Sequence, residues 1–241
     1  MELPCKNCTF PLSKQPCEPT KEMWRKWRET PDGLLASSYA GECQQQRKNN
    51  GEVRDKLTGI DAKGLMLARL MNRFSLIAEH PIRKSERQIN SEGKIVSPGL
   101  FTFIDGDGFG DFNKRYTQNV GDEAIRDLAN TIKGKTRAGD YIGRRGGDEF
   151  ITAMFGFSRE DASGKMLHMR QALREGGSTE HVNWTATIVG AYVEDPRDVR
   201  QVEEVHDYLS GVVGDWKRSD RREEPPLLFE ISPDQDPVIL A

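Results

Sequence analysis

The feature that most constrains the fold is a pair of glycines set between two runs of β-forming residues. Residues 144–150 read RRGGDEF, preceded by DYIG and followed by ITAMF. Paired glycines in this setting predict a β-hairpin, because glycine readily adopts the positive φ that tight hairpin turns require. Asp148 and Glu149 would then lie side by side where strand and turn meet.

Two adjacent carboxylates at such a turn repel each other unless something compensates their charge. One interpretation is a solvated turn, in which glycine and aspartate are ordinary residues. The other is a site for a divalent cation, which carboxylate oxygens bind well. The heptapeptide alone leaves both interpretations open.

The composition indicates a globular protein. The chain has 241 residues, of which 36% are hydrophobic and 30% charged, enough for one sizeable domain with appendages or two small domains. A net charge of −3 does not favour binding to duplex nucleic acid, which usually requires a basic face. No apolar run approaches the roughly 18 residues of a membrane helix, and no secretory signal begins the chain. We therefore predict a cytoplasmic protein that binds neither a membrane nor duplex nucleic acid.

All four cysteines lie in the first fifth of the chain. Cys5 and Cys8 have the spacing of half a zinc site, and Cys17 and Cys43 could supply two more thiolates. The second pair lacks the short spacing of the first, so free thiols in a reducing cytosol are the simpler interpretation. A structural Zn²⁺ site and a redox role are the alternatives.

The chain divides into three parts by composition. Residues 1–50 form a cysteine-containing N-terminal appendage with one or two short helices. Residues 51–222 carry the regular hydrophobic patterns of a folded domain, and residues 223–241 form a proline-rich tail with at most one strand. Within the domain, the polar residues 81–98 are bounded by prolines and predict an exposed loop or hairpin.

The hydrophobic patterns of the domain predict strand, helix, hairpin, helix, strand and helix, in that order. The first strand is LFTFI at 100–104, and a helix with an apolar stripe follows Gly121. Another helix follows SRED, and NWTATIVGAYV predicts a strand before the last helix. This order predicts an α+β fold, in which helices pack on a central, mostly antiparallel sheet.

A second acidic cluster follows the strand LFTFI directly, in the segment DGDGFGDFN at 105–113. It is not a calcium-binding EF-hand loop, because the fifth and twelfth loop positions from Asp105 would be Phe109 and Tyr116. It also lacks the lysine of a phosphate-binding P-loop.

If this strand pairs beside the hairpin, Asp105 and Asp148 converge from different strands. With Glu149 they could hold two Mg²⁺ ions and leave positions open for a triphosphate. Two such ions would activate an attacking hydroxyl and neutralise a leaving pyrophosphate.

Four blocks of the sequence resemble the GGDEF-domain diguanylate cyclases. They are DKLTGIDAKG (55–64), IDGDGFGDFN with NVGDEAI (104–125), RAGDYIGRRGGDEF (137–150) and TATIVGAYV (185–193). The resemblance implies a ferredoxin-like, palm-type nucleotidyl cyclase fold. It also implies an enzyme that condenses two GTP into cyclic di-GMP and pyrophosphate across a homodimer, with two Mg²⁺ or Mn²⁺ ions per active site.

The resemblance also assigns roles at the carboxylate cluster. Asp105 would bind metal together with the carbonyl of Gly106. Asp148 would be the second metal ligand and would accept the proton of the 3′-hydroxyl, and Glu149 would complete the site.

The substrate contacts come from further along the family pattern. Asn113 and Asp122 match the pair that reads the guanine edge, although Asp122 could instead be a helix N-cap. A carboxylate facing the N1–H and exocyclic amine of guanine favours GTP over ATP. The substrate-binding residues implied are Asn113, Gln118, Asp122, Gly146, Gly147 and Lys217.

Arg137 and Asp140 precede the double glycine at the spacing of the family's inhibitory product-binding motif. Arginine can grip a phosphate or guanine with two hydrogen bonds. A simple surface ion pair is the alternative interpretation.

The chain departs from the family pattern at Gly110, where a phosphate-binding lysine is usual. Lys217 matches the position of a second such lysine. The departure keeps two other functions open: a weakly active domain that serves as an effector for cyclic di-GMP or GTP, and a related palm-type nucleotidyl transferase that makes another oligonucleotide. A purely structural partner-binding module is a third.

Overall fold

The computed structural model describes residues 54–79, 86–110, 117–175, 177–178, 183–196, 199–218, 228–231 and 237–240. The N-terminal appendage lies outside these residues, as does Asn113. The predicted zinc site (Cys5, Cys8, Cys17, Cys43) and the predicted contact of Asn113 with guanine therefore stay predictions. None of the helices in these ranges combines the length and the apolar character needed to cross a bilayer.

The order of the main elements is the predicted one, with short strands added. The first helix carries the hydrophobic pattern of the segment after Asp61, and the last helix begins at Val199. The elements are β1 (Asp61–Ala62), α1 (Lys63–Glu79), β2 (Gln88–Ile89), β3 (Ile95–Val96), β4 (Gly99–Gly106), α2 (Gln118–Gly134), β5 (Tyr141–Gly146), β6 (Glu149–Phe155), α3 (Arg159–Glu175), β7 (Gly177–Ser178), β8 (Asn183–Trp184), β9 (Ala186–Val193), α4 (Val199–Arg218), β10 (Leu228–Glu230) and β11 (Val238–Ile239).

The main sheet has seven strands in the order β1-β5-β6-β4-β9-β10-β11. The four long strands, β5, β6, β4 and β9, pair antiparallel to one another in this order. Parallel pairing occurs where β1 meets β5 and where β10 meets β9. The predicted α+β fold with a mostly antiparallel sheet is confirmed.

Strand β4 is buried from Gly99 to Ile104 because helices cover both faces of the sheet, and the one polar side chain in that stretch, Thr102, hydrogen-bonds with the hydroxyl of Thr152. Leu100 and Ile104 pack in one buried cluster with residues of α2 and α3. Phe101 and Phe103 face the other way, into a second cluster with residues of α1 and α4. A strand buried on both faces loses the alternation of apolar and polar residues. The first partly exposed residue of β4 is Asp105, one residue before the strand ends at Gly106.

The segment predicted as an exposed loop or hairpin contains a two-stranded hairpin, β2–β3, in its described part. Ile89 and Ile95 are cross-strand partners and are 75% and 56% exposed. The hairpin is anchored to α1 by Arg73, whose Nη2 donates to Glu86 Oε2 at 2.8 Å and to Ser97 Oγ at 3.0 Å.

The C-terminal tail contains two short strands, so the prediction of at most one strand there was wrong. Leu228 and Phe229 are buried where β10 continues the sheet beside β9. β11 then pairs with β10, although both of its side chains are exposed. This last strand, of only two residues, is defined by its backbone pairing with β10.

Candidate active site

The double glycine forms the turn of the predicted hairpin. Gly147 has a φ of +50°, which favours glycine, and Gly146 pairs with Glu149 across the turn. Asp148 is therefore the last turn residue, and Glu149 is the first residue of β6. The prediction that these two carboxylates lie where turn and strand meet is confirmed.

Asp105 and Asp148 meet at this turn. In the ladder between β4 and β6, Asp105 lies opposite Glu149, and the next amide, of Gly106, donates to the carbonyl oxygen of Asp148 at 3.2 Å. A Cβ atom at Gly106 would lie 2.9 Å from Asp148 Oδ2. Any side chain at this position would therefore displace the carboxylate of Asp148.

The crowding has an electrostatic consequence for Asp148. Burial raises its pKa to about 6, and the neighbouring charges of Asp105 and Glu149 act in the same direction. A backbone hydrogen bond and the ammonium of Lys217 oppose this rise in pKa only in part. A carboxyl with this pKa can take up and release a proton near neutral pH.

Lys217 supplies positive charge to the cluster from the last turn of α4. Its Nζ donates to the carbonyl oxygen of Gly106 at 2.6 Å and lies 3.0 Å from Asp105 Oδ2 and 3.6 Å from Asp107 Oδ1. Val213 and Trp216 are buried in the same part of the helix. Their packing fixes the helix end that carries the lysine.

Asp107 is a residue of this site that the sequence reasoning missed. Its two carboxylate oxygens accept hydrogen bonds from the hydroxyls of Thr185 and Thr187, each at 2.8 Å. Its own amide donates to the carbonyl oxygen of Thr185 at 2.9 Å. The two threonines alternate along the start of an apolar strand, and that period-2 pattern could have indicated a polar partner at this end of the sheet.

Arg144 fastens the turn to the segment that precedes β1. Its Nη1 donates to both carboxylate oxygens of Asp55 at 2.9 Å, while Nε and Nη2 donate to the carbonyl oxygen of Gly147 at 2.9 and 2.6 Å. Burial alone would raise the pKa of Asp55, but hydrogen bonds from Thr58 and Arg144 outweigh it and lower that pKa. Asp55 was not predicted as a site residue. Its ion pair with Arg144 holds the arginine that positions the glycine turn.

The next arginine links the hairpin to α4. Arg145 Nη1 donates to Ser210 Oγ at 2.7 Å, and Nη2 to Asp207 Oδ1 at 3.2 Å. Because Lys217 lies two turns further along the same helix, this link helps to hold the lysine over the carboxylates.

Two of the predicted substrate-binding residues, Gln118 and the guanine-reading Asp122, lie near the start of α2. Gln118 is its first residue and is exposed, and Asp122 is half-buried one turn later. The helix was predicted to follow Gly121 but begins four residues earlier, at Gln118, with Thr117 at the N-cap. The interpretation of Asp122 as an N-cap was therefore wrong, and its carboxylate is not used to begin the helix.

Arg137 and Asp140 form an ion pair at the other end of the hairpin from the glycine turn. Arg137 Nε donates to Asp140 Oδ1 at 3.2 Å, and the amide of Arg137 donates to Oδ2 at 2.9 Å. Arg137 Nη2 also donates to the carbonyl oxygen of Phe155, the last residue of β6. Even so, the Arg137 side chain is 51% exposed, against 3% for Asp140.

The donor atoms at the glycine turn suit a hard divalent cation. Carboxylate oxygens of Asp105 and Asp148 and the carbonyl oxygen of Gly106 are the ligands that Mg²⁺ prefers. Within the described residues, no three or more acidic, histidine or cysteine side chains are already grouped to hold a metal ion. The donor chemistry thus fits Mg²⁺, while the ammonium of Lys217 lies against two of the same oxygens.

The sequence model of one protein family, described as diguanylate cyclase, GGDEF domain, matches residues 53–207. The chain is 32% identical over 121 residues to the probable diguanylate cyclase DgcC of Escherichia coli K12, a match that covers 50% of this chain and 29% of DgcC. It is 27% identical over 164 residues to the diguanylate cyclase DgcP of the same strain, covering 62% of this chain and 44% of DgcP. The chain therefore spans less than half the length of either relative.

The fold is similar to that of two solved structures. One is the coiled coil and GGDEF domain of DgcB from Caulobacter crescentus in complex with cyclic di-GMP, with a TM-score of 0.56 and 16% identity over 83% of this chain and 96% of that chain. The other is the diguanylate cyclase SiaD in complex with its activator SiaC from Pseudomonas aeruginosa, with a TM-score of 0.52 and 20% identity over 82% and 72%. At these identities the likeness concerns the fold. Because the family model covers more than half of the sequence, the chain belongs to the diguanylate cyclase GGDEF-domain family.

Proposed function

We propose that the chain is a diguanylate cyclase, which condenses two GTP into cyclic di-GMP and releases two pyrophosphates. The observation that carries the proposal is the meeting of Asp105, Asp148 and Lys217 at one end of the sheet. The names of the relatives support it, since DgcC, DgcP and SiaD are all described as diguanylate cyclases.

The reaction forms a bond between a 3′-oxygen and an α-phosphorus and breaks the bond from that phosphorus to pyrophosphate. Asp148 is the proposed acceptor of the 3′-hydroxyl proton, because its carboxylate lies beside Asp105 at the proposed metal site. Lys217 would offset negative charge on the leaving phosphates. Mg²⁺ held by Asp105, the Gly106 carbonyl and Asp148, with Glu149 beside it, would activate the hydroxyl and stabilise the pyrophosphate.

Two copies of the chain are needed for this chemistry. Cyclic di-GMP is symmetric, and one chain offers one such carboxylate cluster. We propose that two subunits face each other, so that each 3′-hydroxyl attacks the α-phosphate held by the partner. A variant Asp148→Asn in excess should then suppress the activity of the wild-type protein by forming mixed dimers, whereas excess of an unrelated protein should not. Undiminished wild-type activity would contradict the dimer.

The proposed substrate is GTP rather than ATP. The carboxylate of Asp122 can accept hydrogen bonds from the N1–H and exocyclic amine of guanine, and adenine offers no such pair of donors. Gln118 lies one turn before it, at the end of α2 where we place the nucleotide. A location in the cytoplasm, predicted from the sequence, agrees with a substrate drawn from the cellular nucleotide pool.

Weighing the products formed from an equal mixture of ATP and GTP tests this assignment. We expect cyclic di-GMP alone from the wild-type protein, and products containing adenine from Asp122→Ser. Mixed or adenine-only products from the wild-type protein would instead favour a related nucleotidyl transferase.

Gly110 favours a second candidate function. It is exposed, and a side chain added there would meet no atom of the described residues within 4 Å, so crowding by those residues does not explain the absence of the usual lysine. With one phosphate-binding cation fewer, the domain could act as an effector that binds cyclic di-GMP at Arg137 and Asp140. Tight binding of cyclic di-GMP without any turnover of GTP would favour this function, and Gly110→Lys should then restore turnover.

A further inference from the structure

The ammonium of Lys217 contacts the two oxygens best suited to bind a cation. Its Nζ is 2.6 Å from the carbonyl oxygen of Gly106 and 3.0 Å from Asp105 Oδ2. A divalent cation bound to these two oxygens would lie within a few ångströms of the ammonium. Two positive charges that close repel strongly where solvent is partly excluded.

The position of Lys217 follows from the packing of α4. Arg145 links the helix to β5, and Trp216 is buried beside the lysine. The following residue, Arg218, pairs with Asp215 on the outer side of the helix. Of these neighbouring basic side chains, only Lys217 is directed at the end of β4.

Asp107 offers the ammonium a second negative partner. Its Oδ1 lies 3.6 Å from Lys217 Nζ, and the hydroxyls of Thr185 and Thr187 hold the carboxylate in place. A small movement of the lysine away from Asp105 would therefore leave its charge next to a carboxylate. Such a movement costs less than one into an environment without a counter-ion.

We propose that Lys217 is an internal counter-ion that competes with divalent metal for Asp105 and the Gly106 carbonyl until a nucleotide triphosphate attracts it away. This inference rests on the proposed function, because it concerns the same site. It makes metal and nucleotide binding mutually dependent: each alone binds weakly, and each strengthens the other. The arrangement would keep the carboxylates from holding metal when no substrate is present.

The test is a Mn²⁺ titration of the nucleotide-free protein, with free Mn²⁺ measured by electron paramagnetic resonance. Removing the ammonium in Lys217→Met should tighten Mn²⁺ binding by about tenfold or more, because the competing charge is lost. The same variant should weaken binding of a GTP analogue with a methylene group between the α- and β-phosphates. Lys217→Arg, which keeps the charge, is the matched control and should bind Mn²⁺ close to the wild-type affinity.

Equal or weaker Mn²⁺ binding by Lys217→Met would overturn the proposal, as would tighter binding by Lys217→Arg to the same extent. Thermal melting checks that each variant is folded, and Lys217→Gln provides a second neutral side chain with the same expected result. The titration needs no turnover, so it decides the role of Lys217 independently. A protein that makes no cyclic di-GMP can still show the competition, and an active cyclase can still lack it.

Discussion

The two ends of the β5–β6 hairpin carry charged groups in different balance. At the glycine turn, Asp148 is close to the carboxylates of Asp105 and Glu149, and Lys217 supplies positive charge by contacting Asp105. At the open end, Asp140 pairs with Arg137, and the ammonium of Lys165 is close enough to interact with both of them. The seven residues of β6 separate these ends by about 20 Å.

This difference indicates which end of the hairpin is suited to catalysis. Like charges held together cost stability and are kept where a proton or a cation has to be handled. An aspartate among basic side chains costs little, and its half-exposed arginine partner can turn to an anionic ligand when one arrives. We therefore propose that catalysis takes place at the turn and that the product binds at the open end.

The largest expected effect is the loss of catalysis in Asp148→Asn. An amide cannot accept the 3′-hydroxyl proton, so the initial rate of pyrophosphate release from GTP should fall by about 10²-fold or more. Asp195→Asn, an exposed aspartate beyond β9, is the matched control and should keep the wild-type rate. A rate for Asp148→Asn above a tenth of wild type would contradict the assignment.

The middle of the hairpin should respond to acid through a buried histidine. His206 Nε2 lies 3.0 Å from the carbonyl oxygen of Thr152, the central residue of β6, and burial lowers the pKa of His206 from 6.5 to about 4. The neutral ring thus favours the folded state above pH 6.5, and this advantage is lost as the pH falls towards 4. Between pH 7 and 4.5 we expect the titration of His206 to lower the free energy of unfolding by about 2 kcal/mol.

Urea unfolding at a series of pH values measures this contribution. His206→Gln keeps a donor for Thr152 and does not titrate, so its free energy of unfolding should fall less over the same range. If the free energies of unfolding of the two proteins changed with pH in the same way, the pKa of His206 would be the same in the folded and unfolded states, and the prediction would be wrong.

At the open end, Arg137→Ala should relieve inhibition by product. Losing the guanidinium removes a bidentate contact to phosphate or guanine, so the inhibition constant for cyclic di-GMP should rise about tenfold. The initial rate should not change, because the turn is untouched. Arg159→Ala, another half-exposed surface arginine, controls for the loss of charge. Unchanged inhibition in Arg137→Ala would contradict the assignment of this end.

The smallest effect is a gain in stability at the turn. Asp148 has a raised pKa, so its contribution to stability is present at low pH and is lost as the pH rises through about 6. In the metal-free protein at pH 7.5, Asp148→Asn should therefore raise the free energy of unfolding by about 1 kcal/mol, after discounting for partial exposure to solvent. Differential scanning calorimetry with EDTA should show a rise in Tm of about 3 °C that shrinks towards pH 4. A Tm of Asp148→Asn equal to or lower than that of the wild-type protein at pH 7.5 would show that repulsion between the carboxylates does not destabilise the folded state.

Much of the fold could be predicted because its signals are local. The glycine pair specifies the hairpin, and the apolar run before Asp105 specifies a strand buried on both faces. The meeting of Asp105 and Asp148 also followed, since it needs only the pairing of two predicted strands. β11 was missed because Val238 and Ile239 are too short a run to show the alternating pattern of a strand, and pairing with β10 defines it.

The parts of the site that could not be predicted depend on long-range packing. Asp107 reaches its threonine partners only because β4 pairs with β9. The contact of Lys217 with Asp105 depends on the angle at which α4 crosses the sheet, which no local pattern encodes. The resemblance to a family located the lysine, but its contact with the metal-binding oxygens came from the structure.

The most direct test of the account is a count of the products that the wild-type protein forms from GTP and Mg²⁺. Mass spectrometry of the nucleotides and a colorimetric assay of pyrophosphate should find two pyrophosphates for every cyclic di-GMP, and about a hundredfold less of both products in the same time with Asp148→Asn. GTP left intact by the folded wild-type protein, or consumed equally by Asp148→Asn, would contradict it.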